Sequence, residues 1–137
     1  MEQVATNQML EAYAPAQIAM RVCEGGVTKA TMPVLTMFAL AILAGAFIAL
    51  GALFYTVTVT TGNDATVPFG LLRLAGGVTF SLGLVLVVVG GAELFTGNNL
   101  IAMAWASGRV TTQQIMRNWG WVYLGNLVGA VGTAVLV

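Results

Sequence analysis

A polar, glycine-rich interruption between two apolar runs is the feature that most constrains this chain. The interruption covers residues 90–99 and separates the apolar run 80–89 from a shorter apolar run at 100–106. A lipid bilayer offers broken backbone no hydrogen-bond partners, so helix breaks within it occur only where they line a cavity or are buried in protein. In transport proteins such breaks mark substrate sites. The pattern therefore predicts a pathway for a small solute or ion.

Composition indicates an integral membrane protein. The 137 residues are 58% hydrophobic and 7% charged, whereas soluble domains carry roughly 25% charged residues. Five cations balance five anions without a basic run, which argues against a nucleic-acid partner. The chain has no histidine and a single cysteine, Cys23, so it lacks the commonest general base and any paired metal motif. We therefore expect no metal, no cofactor and no enzymatic activity.

Hydropathy divides the chain into an N-terminal arm and a membrane domain. Residues 1–32 form the arm, in which 14–27 is typical of an amphipathic helix lying along the membrane; a tethering helix without a regulatory role is an equal alternative. Residues 33–137 predict an all-α domain of three transmembrane helices, since a span needs roughly 20 apolar residues. The predicted spans are 33–61, then 71–94 interrupted at 90–99 and resumed at 100–107, and finally 119–137.

The cations predict the orientation of these spans. Arg21 and Lys29 precede the first span, and Arg109 and Arg117 precede the third. The only charged residue in the loop 61–70 is acidic. Cationic loops stay on the cytoplasmic side, so the N-terminus is expected there. Three crossings then leave the chain on the outer side within apolar sequence, which suggests one half of a larger protein. A truncated sequence and a natural half-protein both stay open.

Glu93 is the one carboxylate within the apolar segments. An ionisable residue inside the membrane is a functional-site hypothesis by default. A structural role, in which Glu93 binds backbone groups exposed by the break, is slightly favoured over direct contact with a substrate. An unpaired carboxylate beside an anion pathway would repel the anion.

The polar residues after Glu93 are candidates for binding an anion. Thr96, Asn98 and Asn99 offer hydroxyl and amide donors around Gly97, and the resumed helix has an N-terminal dipole that favours negative charge. The alternative for Asn98 and Asn99 is N-capping of that helix. Both roles are compatible.

Bulky apolar residues flank the interruption. Phe80 and Leu84 lie four residues apart and share one helix face, and Leu94 and Phe95 follow the glycines. Together they could form a hydrophobic constriction that gates by excluding water. Contact with lipid or ordinary packing is the alternative, and composition favours it.

Small residues in the third span predict close helix packing. Gly125 and Gly129 are four residues apart, with Asn126 between them. Glycines at this spacing let helix backbones approach closely, and Asn126 could hydrogen-bond across the contact.

Residues 91–98 read Gly-Ala-Glu-Leu-Phe-Thr-Gly-Asn, a run that resembles the signature of the formate/nitrite transporter family. The run is specific because it joins a helix break, an acidic residue and a threonine at fixed spacing. Further matches follow in family order at residues 29–31, 68–70, 76–77, 80–84 and 118–130. Within the family, 68–70 and 118–130 look most like the formate channels.

The resemblance implies a homo-pentamer of six-helix protomers with an aquaporin-like fold, in which two inverted three-helix repeats each supply a broken helix. Phe80 and Leu84 would match the cytoplasmic side of the constriction, and Leu94 the periplasmic side. Thr96 would face a histidine from the second repeat, which exchanges a proton with the passing weak acid. The residues that carry the resemblance match the first repeat, and the second repeat with its histidine is absent from this sequence.

The resulting functional expectation is a bacterial inner-membrane channel for small monovalent anions, most simply formate. Proton exchange during transport stays open. Nitrite and hydrosulfide are rival substrates within the family. A neutral-solute channel of aquaporin type and a non-transporting assembly subunit are the alternatives from other classes.

Overall fold

The computed structural model describes residues 13–60 and 67–137. Residues 1–12 of the predicted arm, and most of the predicted outer loop, lie outside this part of the chain. The described residues form helices and no strand, so the expected all-α class is confirmed. In chain order the helices are α1 Pro15–Thr31, α2 Val34–Thr60, α3 Phe69–Val89, α4 Phe95–Asn98, α5 Ile101–Ala106 and α6 Thr112–Leu136.

Three of these helices, α2, α3 and α6, are long and apolar enough to cross a bilayer. α2 is central, since both α3 and α6 pack along it. Their contacts depend on glycines. A Cβ added at Gly51 would lie 2.8 Å from the Phe80 carbonyl oxygen, and one added at Gly83 would lie 2.8 Å from the Phe47 carbonyl oxygen. The backbones of α2 and α3 therefore touch where no side chain would fit.

The expected glycine contact in the third span lies between α6 and α2. A Cβ added at Gly129 would lie 2.0 Å from the Ile42 carbonyl oxygen, and one at Gly125 would lie 2.5 Å from the Ala41 Cβ. From the opposite side, a Cβ at Gly45 would lie 2.1 Å from the Asn126 carbonyl oxygen. Both helices thus contribute glycines, and the main chains meet directly.

α1 lies against α5 and the start of α6. Pro15 occupies its first turn, where the missing N–H of proline costs nothing, and Gln17 Oε1 accepts from the Ala14 N–H at 3.1 Å. The helix extends four residues beyond the predicted 14–27. Its buried face joins an apolar cluster made of Ala30, Ile101, Ala104, Val110 and Ile115.

The end of α3 and the start of α6 differ from the predicted bounds by five and seven residues. α3 ends at Val89, not at residue 94, because Gly90 and Gly91 follow it. α6 begins at Thr112, seven residues before the predicted 119. Hydropathy missed this start because the first turns are polar. The Thr111 hydroxyl accepts from the Gln114 N–H at 3.2 Å, and Gln114 Oε1 accepts from the Thr111 N–H at 2.9 Å. This reciprocal capping box starts the helix.

Candidate functional site

The break after α3 is a defined helix ending. Gly91 has φ +60°, the left-handed conformation that glycine adopts without steric cost. The Gly91 N–H donates to the Val88 carbonyl at 3.3 Å, and the Ala92 N–H donates to the Val87 carbonyl at 3.0 Å. These two bonds form a Schellman motif, which satisfies carbonyls that would otherwise lack partners. α4 then begins at Phe95.

Glu93 is buried and paired. Its side chain is 5% exposed, and Oε1 accepts from Lys29 Nζ at 2.6 Å. The second oxygen, Oε2, accepts from Asn98 Nδ2 at 2.7 Å. Both carboxylate oxygens therefore have partners from the protein itself, but these partners are side chains and not the exposed backbone groups expected from the sequence.

Asn98 differs from its expected role as an anion donor. Its side chain is fully buried, and Nδ2 donates to Glu93 and also to Asn118 Oδ1 at 3.0 Å. Its Oδ1 accepts from Lys29 Nζ at 3.2 Å. Because both amide hydrogens are used within the protein, none is left for an anion.

The expected N-capping by Asn98 or Asn99 is also absent from α5, which has no side-chain cap. Asn99 and Leu100 keep right-handed helical dihedral angles, so the Ala102 N–H bonds to the Asn99 carbonyl at 3.1 Å. The chain is therefore nearly helical from α4 through α5. The helical segment after the break begins at Phe95 and not at Leu100.

Lys29 and Asn118 were missed as site residues by sequence reasoning. In the sequence, Lys29 serves as a topology marker and as part of a family match, and Asn118 as part of a family match. Asn118 Nδ2 donates to the Lys29 carbonyl at 3.0 Å, so Asn118 contacts both Lys29 and Asn98. One signal was present: a carboxylate inside a membrane needs a cationic partner, and Lys29 is the last cation before the first span.

The start of α6 holds the end of α1, and with it Lys29. Arg117 donates through one guanidinium nitrogen to the carbonyls of Ala30 at 2.8 Å and Met32 at 3.1 Å. These carbonyls lie at the C-terminus of α1, where cations interact favourably with the helix dipole. α6 thus holds the end of α1 in place and with it Lys29, the partner of Glu93.

Asn126 contacts the opposite side of the break. Its Nδ2 donates to the carbonyls of Ala41 at 2.8 Å and Glu93 at 2.9 Å, and its Oδ1 accepts from the Phe95 N–H at 2.9 Å. The Glu93 N–H also donates to the Leu40 carbonyl at 3.2 Å. The break is therefore joined to both α2 and α6 by hydrogen bonds.

A cleft of about 420 Å³ opens beside the break, and α3, α4 and Lys29 line it. It brings together Leu84, Leu94, Thr96, Gly97 and Asn98 from the sequence-predicted set, and Thr96 is exposed there. Lys29, whose side chain is 34% exposed, places part of its surface in the same wall. The lining is mostly apolar, and its polar side chains are those of Lys29, Thr96 and Asn98.

Besides the buried Glu93, three residues predicted for the pore do not line this cleft. Phe80 lies one turn before Leu84 on α3 and is 39% exposed. Asn99 is exposed. Phe95 packs edge-to-face against Trp119 and Tyr123, with ring centroids 6.4 and 5.6 Å apart. The Phe95 side chain therefore belongs to an aromatic cluster and does not line the cleft.

Known proteins resemble this chain over most of its length. The family model described as formate/nitrite transporter matches residues 16–137. The formate channel FocA of Escherichia coli K12 is 54% identical over 117 residues, which are 85% of this chain and 40% of that protein. The formate channel BtFdhC of Bacillus thuringiensis is 38% identical over 123 residues, which are 89% of this chain and 47% of that protein.

A solved structure described as a pentameric formate channel with formate bound superposes with a TM-score of 0.67 at 43% identity. The match covers 75% of this chain and 40% of that structure. The chain thus spans less than half the length of the relatives it matches. The assignment suggested by residues 91–98 is confirmed, and this chain belongs to the formate/nitrite transporter family.

Proposed function

We propose that this chain forms part of the pore of a membrane channel for small monovalent anions, with formate as the substrate. The observation that carries the proposal is the cleft beside the helix break, which Leu84, Leu94 and Thr96 line together. The family assignment and the relatives named formate channels support it.

The physical chemistry of the cleft fits a small anion. An anion in a low-dielectric pore loses much of its hydration energy. A small number of protein contacts must therefore replace its hydration shell. Thr96 supplies a hydroxyl donor, and the apolar walls exclude water and larger solutes. Because Lys29 neutralises Glu93, the carboxylate does not repel an anion. A histidine that protonates the anion in transit would lie outside this chain, since the chain has no histidine.

We further propose a homo-pentamer in the bacterial inner membrane with a cytoplasmic N-terminus. The pentameric state of the solved neighbour supports the assembly. The cations before the first and third spans support the orientation, since cationic segments remain cytoplasmic. The protein is then a transporter and not an enzyme, and Phe80, Leu84 and Leu94 contribute to its constrictions.

Stopped-flow measurements on proteoliposomes test this function. Vesicles containing the purified protein are challenged with sodium formate, and separately with glycerol, and protein-free vesicles serve as the control. Formate entry without glycerol entry supports the proposal. Glycerol entry without formate entry would instead establish a neutral-solute channel, and no entry of either solute would contradict a pore. Competition by nitrite and hydrosulfide then ranks the substrates.

A further inference from the structure

Asn126 is a polar residue in the middle of a membrane-spanning helix whose side chain makes its hydrogen bonds outside that helix. Its two donors reach the carbonyls of Ala41 and Glu93, and its acceptor oxygen binds the Phe95 N–H, all at 2.8–2.9 Å. A primary amide offers two donors and one acceptor group in fixed planar geometry. All of these groups are used at once.

The two groups that Asn126 binds in the break lack helical partners. The Glu93 carbonyl lies between α3 and α4, and the Phe95 N–H lies in the first turn of α4. Such groups at helix ends need partners from elsewhere, and a bilayer supplies none. Asn126 binds the polar groups on either side of Leu94 and so fixes the backbone that carries Leu94 into the cleft.

The position of Asn126 is itself rigidly set. A Cβ at Gly45 would lie 2.1 Å from the Asn126 carbonyl oxygen, and one at Gly129 would lie 2.0 Å from the Ile42 carbonyl oxygen. The backbones of α2 and α6 are thus in direct contact on both sides of this residue, which brings Nδ2 to the Ala41 carbonyl. Asn126 therefore transfers the position of a fixed helix pair to the break.

We propose that Asn126 is a positioning residue that sets the place of Leu94 and Thr96 in the cleft and thereby determines which anions pass. The inference rests on the proposed channel function. Asn126 acts only through the backbone at Glu93 and Phe95. Its removal should widen or displace the constriction and weaken the preference for formate over larger monovalent anions.

Two nearly isosteric substitutions test this role. Asn126→Asp keeps an acceptor for the Phe95 N–H but loses both donors, and Asn126→Leu loses all three bonds. Thr133→Val is the matched control on the same helix, because the Thr133 hydroxyl donates only to the Gly129 carbonyl of its own helix, at 2.8 Å. Each variant is compared with the parent protein at equal vesicle density and equal oligomeric state.

The readout is the permeability ratio of formate to acetate in proteoliposomes. We expect this ratio to fall about tenfold in both Asn126 variants, since small misplacements of binding groups cost up to about 10²-fold. The control should keep the parent ratio. A parent protein that conducts formate, with Asn126 variants of unchanged ratio, would overturn the inference alone. A parent protein that conducts no formate would overturn the proposed function.

Amide hydrogen exchange tests the positioning without any flux. In both Asn126 variants, exchange at residues 93–97 should accelerate while the middles of α2 and α6 stay protected. Unchanged exchange in the break would overturn the inference. Loss of protection throughout all three spans, or failure of both variants to assemble, would also overturn it, because Asn126 would then act in overall folding.

Discussion

Lys29 and Glu93 lie 64 residues apart in the chain, yet Lys29 Nζ and Glu93 Oε1 are 2.6 Å apart. The contact joins α1, which lies before the first span, to the break in the second. The carboxylate is nearly fully buried, whereas the lysine side chain keeps a third of its surface exposed. The pair therefore holds the arm and the break together across the sequence.

Glu93→Ala should destabilise the protein by about 2–3 kcal/mol, because breaking a buried ion pair leaves the partner charge uncompensated. This cost is smaller than for a fully buried pair, since the partly exposed Lys29 can still be hydrated. Thermal unfolding in detergent measures it. Glu24→Ala is the control, because Glu24 is an exposed acid on α1; its effect should stay within about 0.5 kcal/mol. Strictly additive effects of Glu93→Ala and Lys29→Met would contradict the pairing.

Gly129→Ala should disrupt the contact between α2 and α6. The added Cβ would lie 2.0 Å from the Ile42 carbonyl oxygen, a backbone atom, so the helices must separate at a cost of about 1–3 kcal/mol. Gly132→Ala is the matched control in the same helix, because its added Cβ would meet no atom of another helix within 4 Å. That variant should gain roughly 0.5–1 kcal/mol from helix propensity. Equal melting temperatures for both variants would contradict the packing.

Local patterns predicted much of this structure. The span predicted at 33–61 matches α2, Val34–Thr60, within one residue at each end. A helix that crosses a bilayer needs roughly 20 apolar residues, and hydropathy alone detects such a run. Glu93 stood out as a carboxylate in apolar sequence. The start of α6 was missed although its capping box, Thr111 and Gln114, is written in the sequence. Hydropathy does not detect a helix whose first turns are polar.

The arrangement of side chains around Glu93 could not be predicted in the same way. The sequence does not show that α1 folds back to bring Lys29 to the break. The roles of Asn98 and Phe95 depend on how the single turn of α4 directs them, inward to Glu93 for Asn98 and towards Trp119 for Phe95. Such directions follow from the tertiary position of a turn and carry no periodic signal.

Leu84→Ala should make the pore less selective if Leu84 forms the constriction. Removing the side chain opens the apolar wall of the cleft, so water enters and glycerol should begin to pass. Stopped-flow swelling of proteoliposomes with glycerol measures this leak. Leu82→Ala is the control, because residues two positions apart point to opposite sides of a helix and Leu82 does not line the cleft. If the Leu84 variant still excludes glycerol, Leu84 does not form the constriction.

Thr96→Ala should reduce formate flux while leaving assembly intact. The Thr96 hydroxyl is exposed in the cleft, and it takes part in no hydrogen bond within the described residues, so its removal costs the fold little. Loss of one positioned donor should lower flux by about tenfold or more, as removal of a donor to a developing or desolvated anion does elsewhere. Formate uptake by proteoliposomes, at matched protein density, measures the effect.

Thr96→Ser separates the hydroxyl from the methyl group, since it keeps the donor and should retain most of the flux. Thr56→Ala is the matched control: the Thr56 hydroxyl donates to the Ala52 carbonyl of its own helix at 2.8 Å, outside the cleft. Unchanged formate flux in Thr96→Ala would exclude the hydroxyl as the anion donor. Asn98 donates both amide hydrogens to Glu93 and Asn118. The hydrogen-bond donor to the anion would then have to come from backbone amides of the break or from outside this chain.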